Sequence, residues 1–364
     1  MSASLKVGRF AGIKVQIHWT FWLLFLFVGF MVFANDGSIS DLIWNFIFVF
    51  ALFFCVVLHE FGHALTARKY GIGTRSITLL PIGGLASLEE MPENPVEEFY
   101  VAIAGPMVNV VIALLLFPFV SVESYIGQDP EVLQEQLAAI NAGNFLFYLF
   151  FVNIALVLFN MLPAFPMDGG RIFRALLSMK YGRIKATKMA SGLGKFMALL
   201  FFLFGLFYSI ILTVIAVFIW FGAHSENIMI QQLSLLEGND VRDAMITEFS
   251  ILSPDAPLSA AIEKILATTE RNFIVATDDT IHGILYMEDL SNALREKSKE
   301  TEISDVMNPN FITLNANDSL TVGYRKLTRG SKNFYPVLEN GQIVGVLDMD
   351  NINEFLTFRA STNY

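Results

Sequence analysis

The pentapeptide His59-Glu60-Phe61-Gly62-His63 closes an apolar run, Ile43 to Leu58, in which Asn45 is the sole polar residue. Two histidines four apart on a helix project from one face, so both imidazoles reach one metal ion, and Glu60 reaches a water on it. That is the constellation of a zinc hydrolase. Its setting is unusual, because a run this long is a membrane helix, and ionisable groups at membrane depth are costly and functional.

A mean hydropathy of +0.54 and 35 Phe in 364 residues point to a chain largely solvated by lipid. Six apolar segments stand out, at about 15–34, 43–66, 98–120, 144–163, 189–208 and 209–229, each expected to cross about 30 Å of hydrocarbon. Lys6, Arg9, Lys14, Arg68, Arg171 and Arg174 fall on one side of this six-span arrangement, while the opposite loops, 34–42 and 121–144, carry no Lys or Arg. The positive-inside rule then makes the N-terminus and everything after the last span cytosolic, with His59 in the inner leaflet about 24 Å along its helix. A formal charge of -10 excludes nucleic acid as a partner. The single cysteine, Cys55, excludes an intramolecular disulfide and reads as a packing or lipid-facing residue.

Two histidines do not complete a zinc site. The expected third ligand is Asp168, in Asn160-Met161-Leu162-Pro163-Ala164-Phe165-Pro166-Met167-Asp168-Gly169-Gly170-Arg171. Two prolines end the fourth span and the glycines keep the backbone compact, so the carboxylate is expected from an unwound strand lining a polar cavity. Three protein ligands leave zinc an open position, and Glu60 is placed to take a proton from water and return it to a leaving amine. The Asn160 amide, in the same plane, would assist at the oxyanion.

H-E-x-x-H on the second of six spans, with N-x-x-P-x-x-P-x-D-G-G after the fourth, resembles the site-2 protease family of intramembrane metalloproteases, in the branch with C-terminal CBS domains. The resemblance covers essentially the whole chain. It implies one Zn2+ per chain on His59, His63 and Asp168, Glu60 as general base, Asn160 holding substrate, and a transmembrane protein cut near its cytosolic end. The implied location is a prokaryotic plasma membrane, multi-pass and integral to the bilayer.

Other positions stay open in the sequence. Arg75 to Leu88 reads as a membrane-associated β-hairpin around Gly83-Gly84, either receiving an extended substrate along its edge or merely connecting two spans. In Ala104-Gly105-Pro106-Met107-Val108-Asn109 the glycine suits close helix packing, and Asn109 is a candidate to support the metal ligands. His18 is expected at the depth of the metal, as an interfacial histidine or a further ligand or gate. His224 and His282 read as surface residues.

After Glu226 the composition turns to mixed charge, and a repeat appears with a shift of 62 positions, 241 to 303, 257 to 319 and 283 to 345. Each copy reads strand, helix, two strands, helix. The order resembles a tandem CBS pair, an α+β module, expected at 241–298 and 303–358 after a linker at 231–240 and a protease domain at 1–230. CBS pairs in many families bind adenosine nucleotides and pair into homodimers, so both are implied here. The usual ribose-holding hydroxyls are replaced by Tyr286 and Asp348 and only Asp289 survives, which leaves nucleotide binding as one of several uses.

A CBS-gated transporter or channel is the alternative reading of the same polar residues. It would need further polar groups in the outer half of the spans, where this sequence shows almost none and the second and fourth are mainly Phe, Val, Leu and Ile.

Overall fold

The computed structural model describes residues 4–81, 83–88, 92–122, 129, 139–330 and 332–362. The chain divides into two units, Met1–Ile228 and Met229–Tyr364.

The first unit begins with a sheet. Strands β1 (Ser4–Phe10) and β2 (Ile13–His18) form a hairpin whose two-residue turn has Ala11 and Gly12 both at positive φ. That is the turn geometry whose twist matches paired strands. The first apolar segment therefore does not start a helix at residue 15. Ile13, Val15 and Ile17 alternate with Lys14, Gln16 and His18, a period of two that buries Ile13 and Val15 on one face. Helix α1 (Phe21–Ala34) is only 14 residues long.

Helix α2 (Ile39–Lys69) runs 31 residues, about 46 Å at 1.5 Å per residue. Ser38 and Asp41 cap its N-terminus reciprocally and Arg68 and Lys69 close its last turn, each end carrying the charge its dipole favours. The hairpin expected after it is present as β3 (Thr74–Leu80) and β4 (Gly83–Leu88). It is half of a larger sheet. β2 pairs with β3 in parallel, giving the order β1-β2-β3-β4 with β4 at an edge. Ile13, Ala64 and Ile77 form the buried contact between this sheet and α2.

Helices α3 (Pro95–Leu116), α4 (Phe145–Asn160), α5 (Asp168–Tyr181), α6 (Arg183–Tyr208) and α7 (Ile210–Leu236) complete the unit, α7 continuing past its end. Among the described residues four helices are long and apolar enough to cross a membrane: α2, α3 (extended to Phe119), α6 and α7; α1 and α4 are apolar but shorter. The segment expected as a linker, 231–240, is helical as far as Leu236, and Leu236 is fully buried in a core of the second unit.

The second unit holds the repeat. The first copy has β5 (Ile251–Leu252), α8 (Leu258–Ala267), β6 (Asn272–Thr277), β7 (Thr280–Tyr286) and α9 (Met287–Ala293). The second has β8 (Leu314–Asn315), α10 (Leu320–Arg329), β9 (Phe334–Glu339), β10 (Gln342–Asp348) and α11 (Met349–Thr362). Each copy builds a three-stranded sheet, β5-β6-β7 and β8-β9-β10. Ile246 bridges Val346 and Asn308 bridges Ile284. These two bridges are the same contact after a shift of 62, so each copy's lead-in segment pairs with the other copy's last strand, a pseudo-twofold arrangement. Ile274, Ile284, Phe334 and Val346 fill the core between the copies.

Candidate metal centre

The site starts from α2, where His59 and His63 are stacked one turn apart and both buried. Helix α3 crosses on glycine. A Cβ on Gly62 would lie 2.7 Å from the Ala104 carbonyl oxygen, and one on Gly105 would lie 2.2 Å from His63 Nε2 and 2.7 Å from His59 Nε2. Close approach lets α3 reach the outer nitrogen of each ring. His59 Nδ1 meets Asn109 Oδ1 and His63 Nδ1 lies 2.7 Å from the Val101 carbonyl oxygen.

Those partners decide the tautomers. Asn109 Nδ2 donates to Asn153 Oδ1 at 2.8 Å, and Asn153 Nδ2 donates to the Leu149 carbonyl at 2.8 Å. The Asn109 oxygen therefore faces His59. An amide oxygen and a backbone carbonyl only accept, so both imidazoles carry their hydrogen on Nδ1 and turn a lone pair outward on Nε2.

Asp168 meets those lone pairs. It is the first residue of α5, a helix and not the unwound strand expected, because an acidic side chain is favoured at a helix N-terminus. The Gly169 and Gly170 positions have no room for side chains: a Cβ would lie 2.3 Å from the Leu162 carbonyl oxygen or 2.6 Å from the Ala164 carbonyl carbon. The turn before α5 thus folds directly onto its first residues. Asp168 Oδ2 lies 3.2 Å from His59 Nε2 and 3.1 Å from His63 Nε2, and the two Nε2 atoms are 3.1 Å apart.

Three electron-pair donors converge with no hydrogen fixed between them, which needs positive charge at the centre. Tetrahedral zinc with ligands at 2.0–2.1 Å sets donor atoms about 3.3 Å apart. The donors, their spacing and their burial fit that ion, and these three residues form the one such group among the described residues. Glu60, next to His59, accepts from the backbone N–H of Ala86 on β4 at 3.0 Å, so the sheet edge reaches the same place.

Residues 47–204 match Peptidase family M50, and 241–296 and 303–357 each match the CBS domain. A zinc metalloprotease of Methanocaldococcus jannaschii is 31% identical over 97% of this chain and 96% of its own length. The chain belongs to peptidase family M50. Stage IV sporulation protein FB of Bacillus subtilis is 24% identical over 49% of this chain and 52% of that one. A solved site-2 protease from M. jannaschii is 37% identical, covering 62% of this chain and 95% of that one with a TM-score of 0.45.

As a zinc metallopeptidase of this family, joined to a CBS pair, the protein has a protein substrate and is an integral membrane protein. Of the residues singled out in the sequence, His59, His63, Asp168, Glu60 and Asn109 come together. Asn160 is the last residue of α4 and half-buried, and no described hydrogen bond joins it to the three. His18 is not inside a membrane helix. It ends β2, and its Nδ1 lies 2.7 Å from Thr20 Oγ1. Asp289, in the CBS pair, forms an ion pair with Lys332 Nζ at 3.3 Å, and that ammonium sits 4.3 Å from the Tyr286 ring centroid.

Asn153 is the residue the sequence reading missed. Asn153 is a buried amide in the middle of an apolar helix, costly unless hydrogen-bonded, and the cost that singled out Asn109 applied to it equally. Gly105 is the close-packing glycine expected, and what it packs on is the imidazole pair.

Proposed function

We propose that this M50 peptidase is an intramembrane endopeptidase that cuts transmembrane protein segments near their cytosolic end, with His59, His63 and Asp168 holding one zinc ion and Glu60 as general base. The convergence of three lone-pair donors within 3.2 Å carries the reading. Zinc held there supplies Lewis acidity toward a water and a peptide carbonyl. Asn109 and the Val101 carbonyl keep both imidazoles in the metal-binding tautomer. Glu60 takes a proton on its carboxylate as water attacks, then delivers it to the leaving amine nitrogen. The Asn160 amide hydrogen-bonds the substrate beside the scissile carbonyl.

A helical substrate has to unwind before hydrolysis. β4 is an edge strand, and its outward Ala86 N–H already points at Glu60, so an extended segment pairing there would lie against the base. Six crossings are the reading that suits the alternation of charge along the chain, with α1 and α4 accommodated by local thinning of the bilayer. The N-terminus and the CBS pair are then cytosolic, and the CBS copies, taken as 241–298 and 303–358, regulate cleavage and support a homodimer. Adenosine nucleotide is the ligand to test there. Calorimetric titration of residues 229–364 with ATP, ADP and AMP should give heat, and silence at millimolar concentrations removes nucleotide from the account.

Glu60→Gln tests the catalytic assignment. The variant should retain one zinc per chain and yield no cleavage, so a single-span protein truncated in cells with the native enzyme should accumulate uncut. Cleavage at the native rate by Glu60→Gln would sink the reading.

A further inference from the structure

Arg174 was expected among the cytosolic positive charges; its side chain is instead fully enclosed, with 0% exposure. It lies on α5, six residues after Asp168. Its Nε donates to Glu98 Oε1 at 2.8 Å, Nη2 reaches the same oxygen, and Nη1 reaches Glu226 of α7. The guanidinium carbon stands 5.0 Å from the Phe165 ring centroid. Glu98 is 1% exposed.

Two of these partners lead back to the candidate metal centre, and Glu226 holds the other side of the fork. Glu98 is on α3, one turn before Val101, whose carbonyl orients His63. Phe165 is buried in the turn that delivers Asp168. One planar fork therefore touches the helix that sets an imidazole and the turn that sets the carboxylate, while belonging to the helix that Asp168 begins. Desolvating buried charges is costly and is offset only where their geometry is well matched, and a guanidinium bridging two carboxylates has a shape that lysine cannot copy.

We propose that Arg174 is a positioning residue which, through Glu98, Glu226 and Phe165, fixes Asp168 Oδ2 relative to the two imidazole nitrogens and so sets the coordination geometry. This rests on the proposed ligand set. A purely structural role would make the cluster matter for folding alone. Metal geometry is what separates the two.

The experiment uses the full chain in detergent, loaded with Co2+ in place of zinc because its visible absorption reports ligand geometry. Asp168→Asn is the reference and should alter the spectrum; if it does not, the ligand set fails, independently of Arg174. The neutral triple variant Arg174→Met, Glu98→Gln, Glu226→Gln leaves no unpaired buried charge. It should elute and melt as the native protein while binding cobalt about ten- to a hundredfold more weakly with a changed spectrum. Arg174→Lys, which keeps a charge in place, should show the same spectral change and decides the matter if the triple variant does not fold. A native spectrum and affinity in the folded triple variant, or in Arg174→Lys where only that variant folds, overturns the proposal while Asp168→Asn remains altered.

Discussion

His59 Nδ1 lies 2.5 Å from Asn109 Oδ1, and the amide nitrogen of Asn109 is in turn held by Asn153. A helix-borne imidazole is thus oriented by a relay of two amides crossing from α2 through α3 to α4. Asn109→Leu should weaken zinc binding about ten- to a hundredfold, the usual effect of removing a group that orients a metal-bound histidine. Asn153→Leu should weaken it less, because Asn109 then keeps its place but loses its fixed rotamer. Competition with a chromophoric chelator measures both. Native affinity in Asn109→Leu would show that the amide does not orient the ring.

Gly105→Ala is a one-carbon test of the same centre. The added methyl would sit 2.2 Å from His63 Nε2, well inside contact distance, on a helix whose intrinsic propensity alanine improves. Membrane insertion and helix content should survive. Zinc content should fall by about tenfold or more, read by atomic absorption on purified protein. Full zinc occupancy would mean that α2 and α3 separate more readily than their packing implies.

Ala86→Pro tests whether the sheet edge positions the base or is only a connector. Proline is tolerated on an edge strand whose N–H points away from the ladder, and the Ala86 N–H points to Glu60. Zinc content should remain native while cleavage drops by about tenfold or more, the range for a misplaced catalytic group. Equal loss of metal and activity, or loss of neither, would make the hairpin a spacer.

Burial raises the Asp348 carboxyl above its ordinary value, and Asp350 and Glu354 push the same way. A carboxyl whose folded value lies above its unfolded one contributes stability that is full below about pH 4 and is lost as pH rises through the folded value. Asp348→Asn removes that loss and retains an acceptor for the Asn351 N–H. Residues 229–364 carrying it should melt higher than native at pH 7, by about 1–3 °C, with the gap closing toward pH 4. Calorimetry at the two pH values checks this, and a constant gap would point to packing instead of ionisation.

The candidate site was legible because its residues are written in contiguous motifs: His59 and His63 share one helical turn, and Asp168 follows a proline-broken helix. The repeat was legible because the 62-residue shift brings Val241 onto Ile303 and Gly283 onto Gly345. Asn153 could have been found by the cost argument that marked Asn109. The β2 strand could have been found by the alternation from Ile13 to His18, which was masked by the long apolar stretch after it. The partners of Gly105 and Arg174 could not, since they depend on which helices meet, although the close packing at Gly105 was read. A glycine beside two imidazoles and an arginine between two acids look, in one dimension, like a packing residue and a surface charge.

The parallel pairing of Lys14–Ile17 with Ser76–Leu79 has a consequence for how the chain is threaded. Both strands lie in one sheet, so the stretch between His18 and Thr74 begins and ends on the same side of any membrane it crosses. An odd number of passages there is ruled out by backbone hydrogen bonding alone, without counting a single lysine. The sheet therefore clasps the helix that carries both imidazoles between its second and third strands in the chain, tying that stretch at each end to one platform.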